Sequence, residues 1–300
     1  MGTKTGRQGL AALAITIGVS AGPAQAVQIT DAFLFGDSYT DTGASFPLTN
    51  GTTAGAYMAN LFGIELVTSK ELNPGTRGVN FAESGARVAQ GPTPPNTQPR
   101  SLTQQVAEFQ AYVQRGAVTF DPASTLFFLS GGLNDHGAPK QTIADATFAQ
   151  VATLYGLGAR FFELALLPSL VPAFADSAAN LNPLYRQLVP QLQALYPAAT
   201  IRLSNWGTFY DGILRDPAAY GITNATDQCF NLGTGRREPA CTNPDTYFYY
   251  YVVHPSDRAH RIVGEQLYAE VLAVPEPETW ALMAAGLAAL GAVRRRRRPA

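Results

Sequence analysis

Histidine and cysteine are the scarcest chemically versatile residues in this chain of 300, with three and two copies. Two cysteines without clustered histidines leave little from which to build a metal centre, and no metal is expected. The 28 glycines nowhere form a phosphate-binding loop, so no nucleotide cofactor is expected either. Charged residues make up only 14%. Yet 46% of the chain is hydrophobic, which is the composition of a globular protein and excludes wholesale disorder. The net charge of −1 hides an uneven distribution. Lys4, Arg7 and the run Arg294 to Arg298 take basic residues to the two ends, so the body between them is acidic and offers no footprint for nucleic acid. There is no internal repeat and no interdomain linker. The one long apolar run near the end, residues 281–293, falls short of the ~20 residues that cross a bilayer unaided.

What the chain does have begins with its ends. Residues 1–26 combine Lys4 and Arg7, an apolar centre from Leu10 to Val19, and Ala24-Gln25-Ala26, which is the pattern of a cleaved secretory signal peptide. Residues 274–300 carry Pro275-Glu276-Pro277, then Trp280, the short apolar run, and five arginines that would hold the tail on the cytoplasmic side. This tripartite tail resembles the PEP-CTERM sorting signal of Gram-negative bacteria that secrete exopolysaccharide. The resemblance implies transient anchoring in the inner membrane, cleavage near Pro275-Glu276-Pro277 by an exosortase as partner, and delivery to the envelope or the outside. In an oxidising compartment Cys229 and Cys241 are expected to form one disulfide closing the loop between them.

Between the ends, at 27–273, short apolar runs alternate with helical periodicity. Strands are expected at 32–36, 79–82, 125–130, 160–167 and 200–204. Helices are expected at 56–62, 101–114 with Ser101 as cap, 143–158, 178–195 and 256–273. Residues 210–251 read as loop-rich. The alternation predicts a single α/β domain: a three-layer α/β/α sandwich of flavodoxin-like topology, with a central parallel sheet of about five strands.

In such sheets ligands bind beyond the carboxyl ends of the strands. Three of those ends carry complementary chemistry. Ser38 follows the first strand, Gly85 the second and Asn134 the third, while His254 precedes the last helix. A serine nucleophile needs a general base, for which histidine is the usual choice, and donors aimed at a developing oxyanion. The N–H groups of Ser38 and Gly85 and the amide of Asn134 could supply three, and Gly85 would keep a Cβ out of the substrate's way. Asp37 and Asp135 read as loop-ordering acceptors, His136 as a loop residue, and His260 as a structural histidine of the last helix.

These segments also resemble a family. Gly36-Asp-Ser-Tyr-Thr-Asp-Thr-Gly43, Asn80-Phe-Ala-Glu-Ser-Gly85, Gly132-Leu-Asn-Asp135 and His254-Pro-Ser-Asp-Arg-Ala-His260 are similar, in order, to four sequence blocks of the GDSL or SGNH esterase and lipase superfamily. The stretch from Tyr220 to Cys229 resembles the subgroup of secreted phospholipases and haemolysin-like acyltransferases. The resemblance implies hydrolysis of a carboxylic ester, of a lipid or an acylated polysaccharide, through an acyl-enzyme on Ser38 with His254 as base. One departure stands out. The family usually has an aspartate three residues before the histidine, where this chain has Tyr251. Three alternatives follow: a Ser38–His254 dyad oriented by a backbone carbonyl or the Tyr251 hydroxyl; an acid from elsewhere, Asp245 or Asp257; or a weakly active or non-catalytic envelope protein.

Overall fold

The computed structural model describes residues 28–44, 48–89, 99–231 and 241–273. The expected signal peptide, the sorting tail with its apolar run, and most of the proline-rich connection at 90–100 lie outside the described residues. Among the described residues no helix is long and apolar enough to cross a membrane.

The sheet follows from runs with no polar side. β1 (Asp31–Gly36, DAFLFG), β4 (Thr125–Ser130, TLFFLS) and β5 (Phe161–Ala165, FFELA) are buried on both faces but for Asp31, as parallel strands covered by helices must be. With β2 (Val67–Thr68), β3 (Gly78–Asn80) and β6 (Thr200–Ser204) they form a six-stranded parallel sheet in the order β2-β3-β1-β4-β5-β6. Five strands match the expectation, and the sixth is β2, whose two residues are too few to show a period. Phe33, Phe109, Phe120 and Phe127 pack ring against ring with centroids 4.9–5.9 Å apart, locking β1, β4 and α2 (Leu102–Gln114) together. Ser101 caps α2 in a reciprocal box: its hydroxyl accepts from the Gln104 N–H, and the Gln104 side chain accepts from the Ser101 N–H.

α1 (Ala54–Leu61) packs on α6 (Asp257–Leu272), which also contacts α5 (Trp206–Arg215). α2, α3 (Lys140–Gly156) and α4 (Ala175–Leu195) pack on one another in a row. The segment expected to be loop-rich is more ordered than that. It holds most of α5, then β7 (Asn224–Phe230) and β8 (Tyr247–Tyr251), which with the two-residue β9 (His254–Pro255) just beyond it form a second sheet ordered β7-β8-β9. Cys229 of β7 is disulfide-bonded to Cys241. The order of the main sheet reverses at β1, whose neighbours are β3 on one side and β4 on the other. The crevice above that reversal is where ligands of open α/β sheets sit.

Candidate active site

Ser38 lies two residues past the end of β1, and three contacts fix the strand end beneath it. The buried Gln105 of α2 bonds Gly36 twice, its Oε1 accepting from the Gly36 N–H and its Nε2 donating to the Gly36 carbonyl, both at 2.9 Å. Thr40 and Ser130 share a hydroxyl hydrogen bond of 2.6 Å. The turn itself closes through Asp37, whose carbonyl accepts from the Thr40 and Asp41 N–H groups and whose carboxylate accepts from Tyr39. Burial raises the Asp37 carboxyl to a pKa of about 7.

Asp41 joins this turn to the loop after β3. One oxygen accepts from Gly43 and Ala44, the other from the Ser84 N–H and hydroxyl. Gly85 follows at φ +86°. Within the protein a Cβ there would meet only Pro99, at 3.3 Å, so the positive φ is what requires glycine on the protein's side. Among the described residues neither the Ser38 nor the Gly85 N–H has a protein partner. Asn134, beyond β4, donates one amide hydrogen to the Ala86 carbonyl at 3.0 Å, which leaves its second hydrogen available.

His254 comes from the smaller sheet. β8 and β9 form an antiparallel hairpin pairing Tyr251 with His254, and the ring Nε2 lies 2.8 Å from Ser38 Oγ. The other ring nitrogen, Nδ1, is 3.1 Å from the main-chain carbonyl of Tyr251. With Nδ1–H donating there, Nε2 is the free acceptor facing the serine. Neither proposed carboxylate reaches the ring. Asp245 is exposed in a 3-10 turn at Pro244–Thr246. Asp257 accepts from the Tyr57 hydroxyl at 2.6 Å and the Thr52 N–H at 3.1 Å, tying α6 to the start of α1. Nor is it the Tyr251 hydroxyl that faces the imidazole: the contact is through the backbone, with the two rings nearly parallel at 6.3 Å. Burial pulls the His254 pKa down to about 4, against a smaller upward push from the Tyr251 carbonyl.

Two residues holding the hairpin in place escaped the sequence. The Tyr39 hydroxyl donates to the Val253 carbonyl, so the residue after the serine grips the residue before the histidine. Gln228 of β7 accepts from the Val252 N–H at 2.6 Å. Val252 has φ +51°, a conformation worth about 1–3 kcal/mol of strain for a β-branched residue, which those two contacts help to sustain. His260 is buried, accepts at Nδ1 from Tyr210 and the Ala54 N–H, and has a pKa lowered to about 3 by burial. Asp135 accepts from the Val88 N–H, and His136 is exposed. Among the described residues no cluster of histidine, cysteine and carboxylate side chains could hold a metal.

A serine hydroxyl on a neutral imidazole, at the carboxyl end of a parallel sheet and flanked by unpaired donors, has the geometry of an α/β serine hydrolase. The chain belongs to the GDSL-like lipase/acylhydrolase family, whose model matches residues 33–267, and it is by class a carboxylic ester hydrolase. Residues 273–298 match the PEP-CTERM protein-sorting motif, which marks a chain for export and exosortase processing toward the envelope. Among curated relatives, thermolabile hemolysin of Vibrio parahaemolyticus is 27% identical over 80% of this chain, which spans 63% of that protein's length. A GDSL esterase/lipase of Arabidopsis thaliana is 24% identical, covering 79% of this chain and 81% of its own. An acetylesterase of Thermothelomyces thermophilus is 28% identical over 74% and 85%. Solved structures similar to it include a G-D-S-L family lipolytic protein of Veillonella parvula (14% identity, 79% and 94% covered, TM-score 0.41). Another is a mutant acetylxylan esterase of Geobacillus stearothermophilus (15%, 82% and 96%, TM-score 0.44).

Proposed function

We propose that the protein is an exported serine esterase that cleaves carboxylic esters through an acyl-enzyme on Ser38, with a Ser38–His254 dyad oriented by a main-chain carbonyl. The observation that carries this is the 2.8 Å contact between Ser38 Oγ and Nε2 of His254. With its pKa near 4, the imidazole is neutral at physiological pH and able to take the serine proton as Oγ attacks the ester carbonyl. The charge that develops on the carbonyl oxygen meets the Ser38 and Gly85 N–H groups and the free hydrogen of Asn134. The imidazolium, steadied by the Tyr251 carbonyl dipole, returns the proton to the leaving alcohol. Water activated by the same histidine then releases the acid. The sorting tail would anchor the chain in the inner membrane until cleavage near Pro275-Glu276-Pro277. A second reading, O-deacetylation of an extracellular polysaccharide by the same dyad, draws on the similarity to an acetylesterase.

A fluorophosphonate probe tests for a live nucleophile. It is expected to add one phosphonyl group, at Ser38, in the untreated protein but not after heat denaturation. A protein that stays unlabelled is a non-catalytic relative.

The carbonyl-oriented histidine makes its own prediction. Tyr251→Phe should keep kcat/KM within about twofold, because the Tyr251 hydroxyl takes no part. In both proteins kcat/KM should rise with pH through about 4 and then level off, since only the protonated imidazole below that pH is unable to accept the serine proton. An acid limb near 6.5, or a tenfold loss in Tyr251→Phe, would mean that another group orients the ring.

A further inference from the structure

An open groove of about 620 Å³ lies against the hairpin that carries His254, within the size range of small-molecule sites. Leu170 and Ala173, from the segment after β5, line it on one side, and Val252 and Val253 of the hairpin line it as well. Leu214 and Ala225 also line it. The polar side chains among its lining residues are Thr226 and Tyr249, and no charged residue lines it. Leu170 and Val252 are two of the few large apolar side chains left exposed, at 44% and 53%.

Both segments are held in place. Asp211 of α5 accepts from the Ser169 and Leu170 N–H groups at 2.9 and 2.8 Å and from the Ser169 hydroxyl at 2.6 Å. The hairpin is clamped by Gln228 and by Tyr39, the neighbour of the nucleophile. A groove with no charged residue and only Thr226 and Tyr249 as polar side chains favours an apolar occupant, since most hydroxyls of a sugar buried there would lose their water without finding a partner. Its position says which part of the ester that is. His254 must hand its proton to the leaving alcohol oxygen, so the alcohol side of a bound ester lies toward His254, and the groove begins at the two residues preceding it.

We propose that this groove receives the apolar alcohol portion of the ester, so that the substrate is an ester of a lipid-like alcohol and not an acetylated sugar. The proposal rests on the Ser38 esterase reading. Two ester series separate them: acetates of ethanol, butanol, hexanol and octanol, and methyl esters of the corresponding acids. Along the alcohol series kcat/KM should climb by up to about fourfold per methylene, and along the acid series it should stay nearly flat. Ala173→Trp, at an exposed position, should fill the groove and cut hexyl acetate turnover tenfold or more while ethyl acetate turnover stays within twofold. Leu170→Glu should do the same by charge, and serves if the tryptophan variant misfolds and loses both. A flat alcohol series with acetate turnover intact, or a climb along the acid series instead, overturns the groove assignment and leaves the esterase standing. Failure to cleave any ester, with no label at Ser38, brings down both.

Discussion

Ser38→Ala is expected to lose at least about 10⁴-fold in kcat on p-nitrophenyl esters, on the scale of nucleophile deletions in other serine hydrolases. Its melting midpoint should stay within about 4 °C of the wild type. The two halves of this result come from different parts of the structure. The hydroxyl makes one hydrogen bond, to His254, and a bond of that kind contributes about 0.5–1.5 kcal/mol to stability. In a domain of this size that amounts to a few degrees. The strand end beneath it is held by Gln105, Thr40 and Ser130, none of which touches the Ser38 side chain. The fold should therefore survive while the chemistry stops. A variant keeping more than a tenth of the activity would place the nucleophile elsewhere.

Asn134→Ala should cost about 10²–10³ in kcat with KM changed less than threefold, the usual consequence of removing one donor from an oxyanion site. The amide is positioned by its bond to the Ala86 carbonyl, so it needs no reorganisation when charge appears on the substrate oxygen. As a proposed oxyanion donor it would contribute only in the transition state, which is why kcat and not KM should carry the loss. Steady-state kinetics on a single soluble ester distinguishes the outcomes. If KM rises while kcat holds, Asn134 contacts the ground-state substrate and the oxyanion is stabilised by the two N–H groups alone.

The main sheet was legible because β1, β4 and β5 are long apolar runs broken by glycine, serine or proline, and a strand buried on both faces needs no alternation to be seen. Ser38, Gly85, Asn134 and His254 stood out as candidates for a related reason: each is a small or polar residue near the boundary of such a run. The orienting group of the histidine was legible only as one of several alternatives. A main-chain carbonyl is something every residue possesses, so it stood beside the Tyr251 hydroxyl, Asp245 and Asp257 until the 3.1 Å contact of Nδ1 with the Tyr251 carbonyl singled it out. Gln105 reads as an ordinary surface residue of an amphipathic helix, and only the burial of its face shows that it substitutes for a neighbouring strand at Gly36. α5 went unseen because Gly207 and Gly212 weaken its helical signal and five of its ten residues are aromatic or glycine. β7 and β8 hid among the cysteines and tyrosines of what looked like loop.

Ser38 and His254, the proposed nucleophile and base, are 216 residues apart in sequence, one just past the main sheet's β1 and the other in the smaller sheet. A chain emerging from the ribosome has Ser38 within its first strand–turn unit long before the hairpin with His254 has been made. Until that hairpin docks through Tyr39 and Gln228, the serine is an ordinary alcohol with no base to take its proton. On the proposed dyad, chains in which the hairpin has not docked are therefore expected to be inert toward esters. In a chain that carries an export motif, such a dyad would give a latency that lasts until the hairpin is in place.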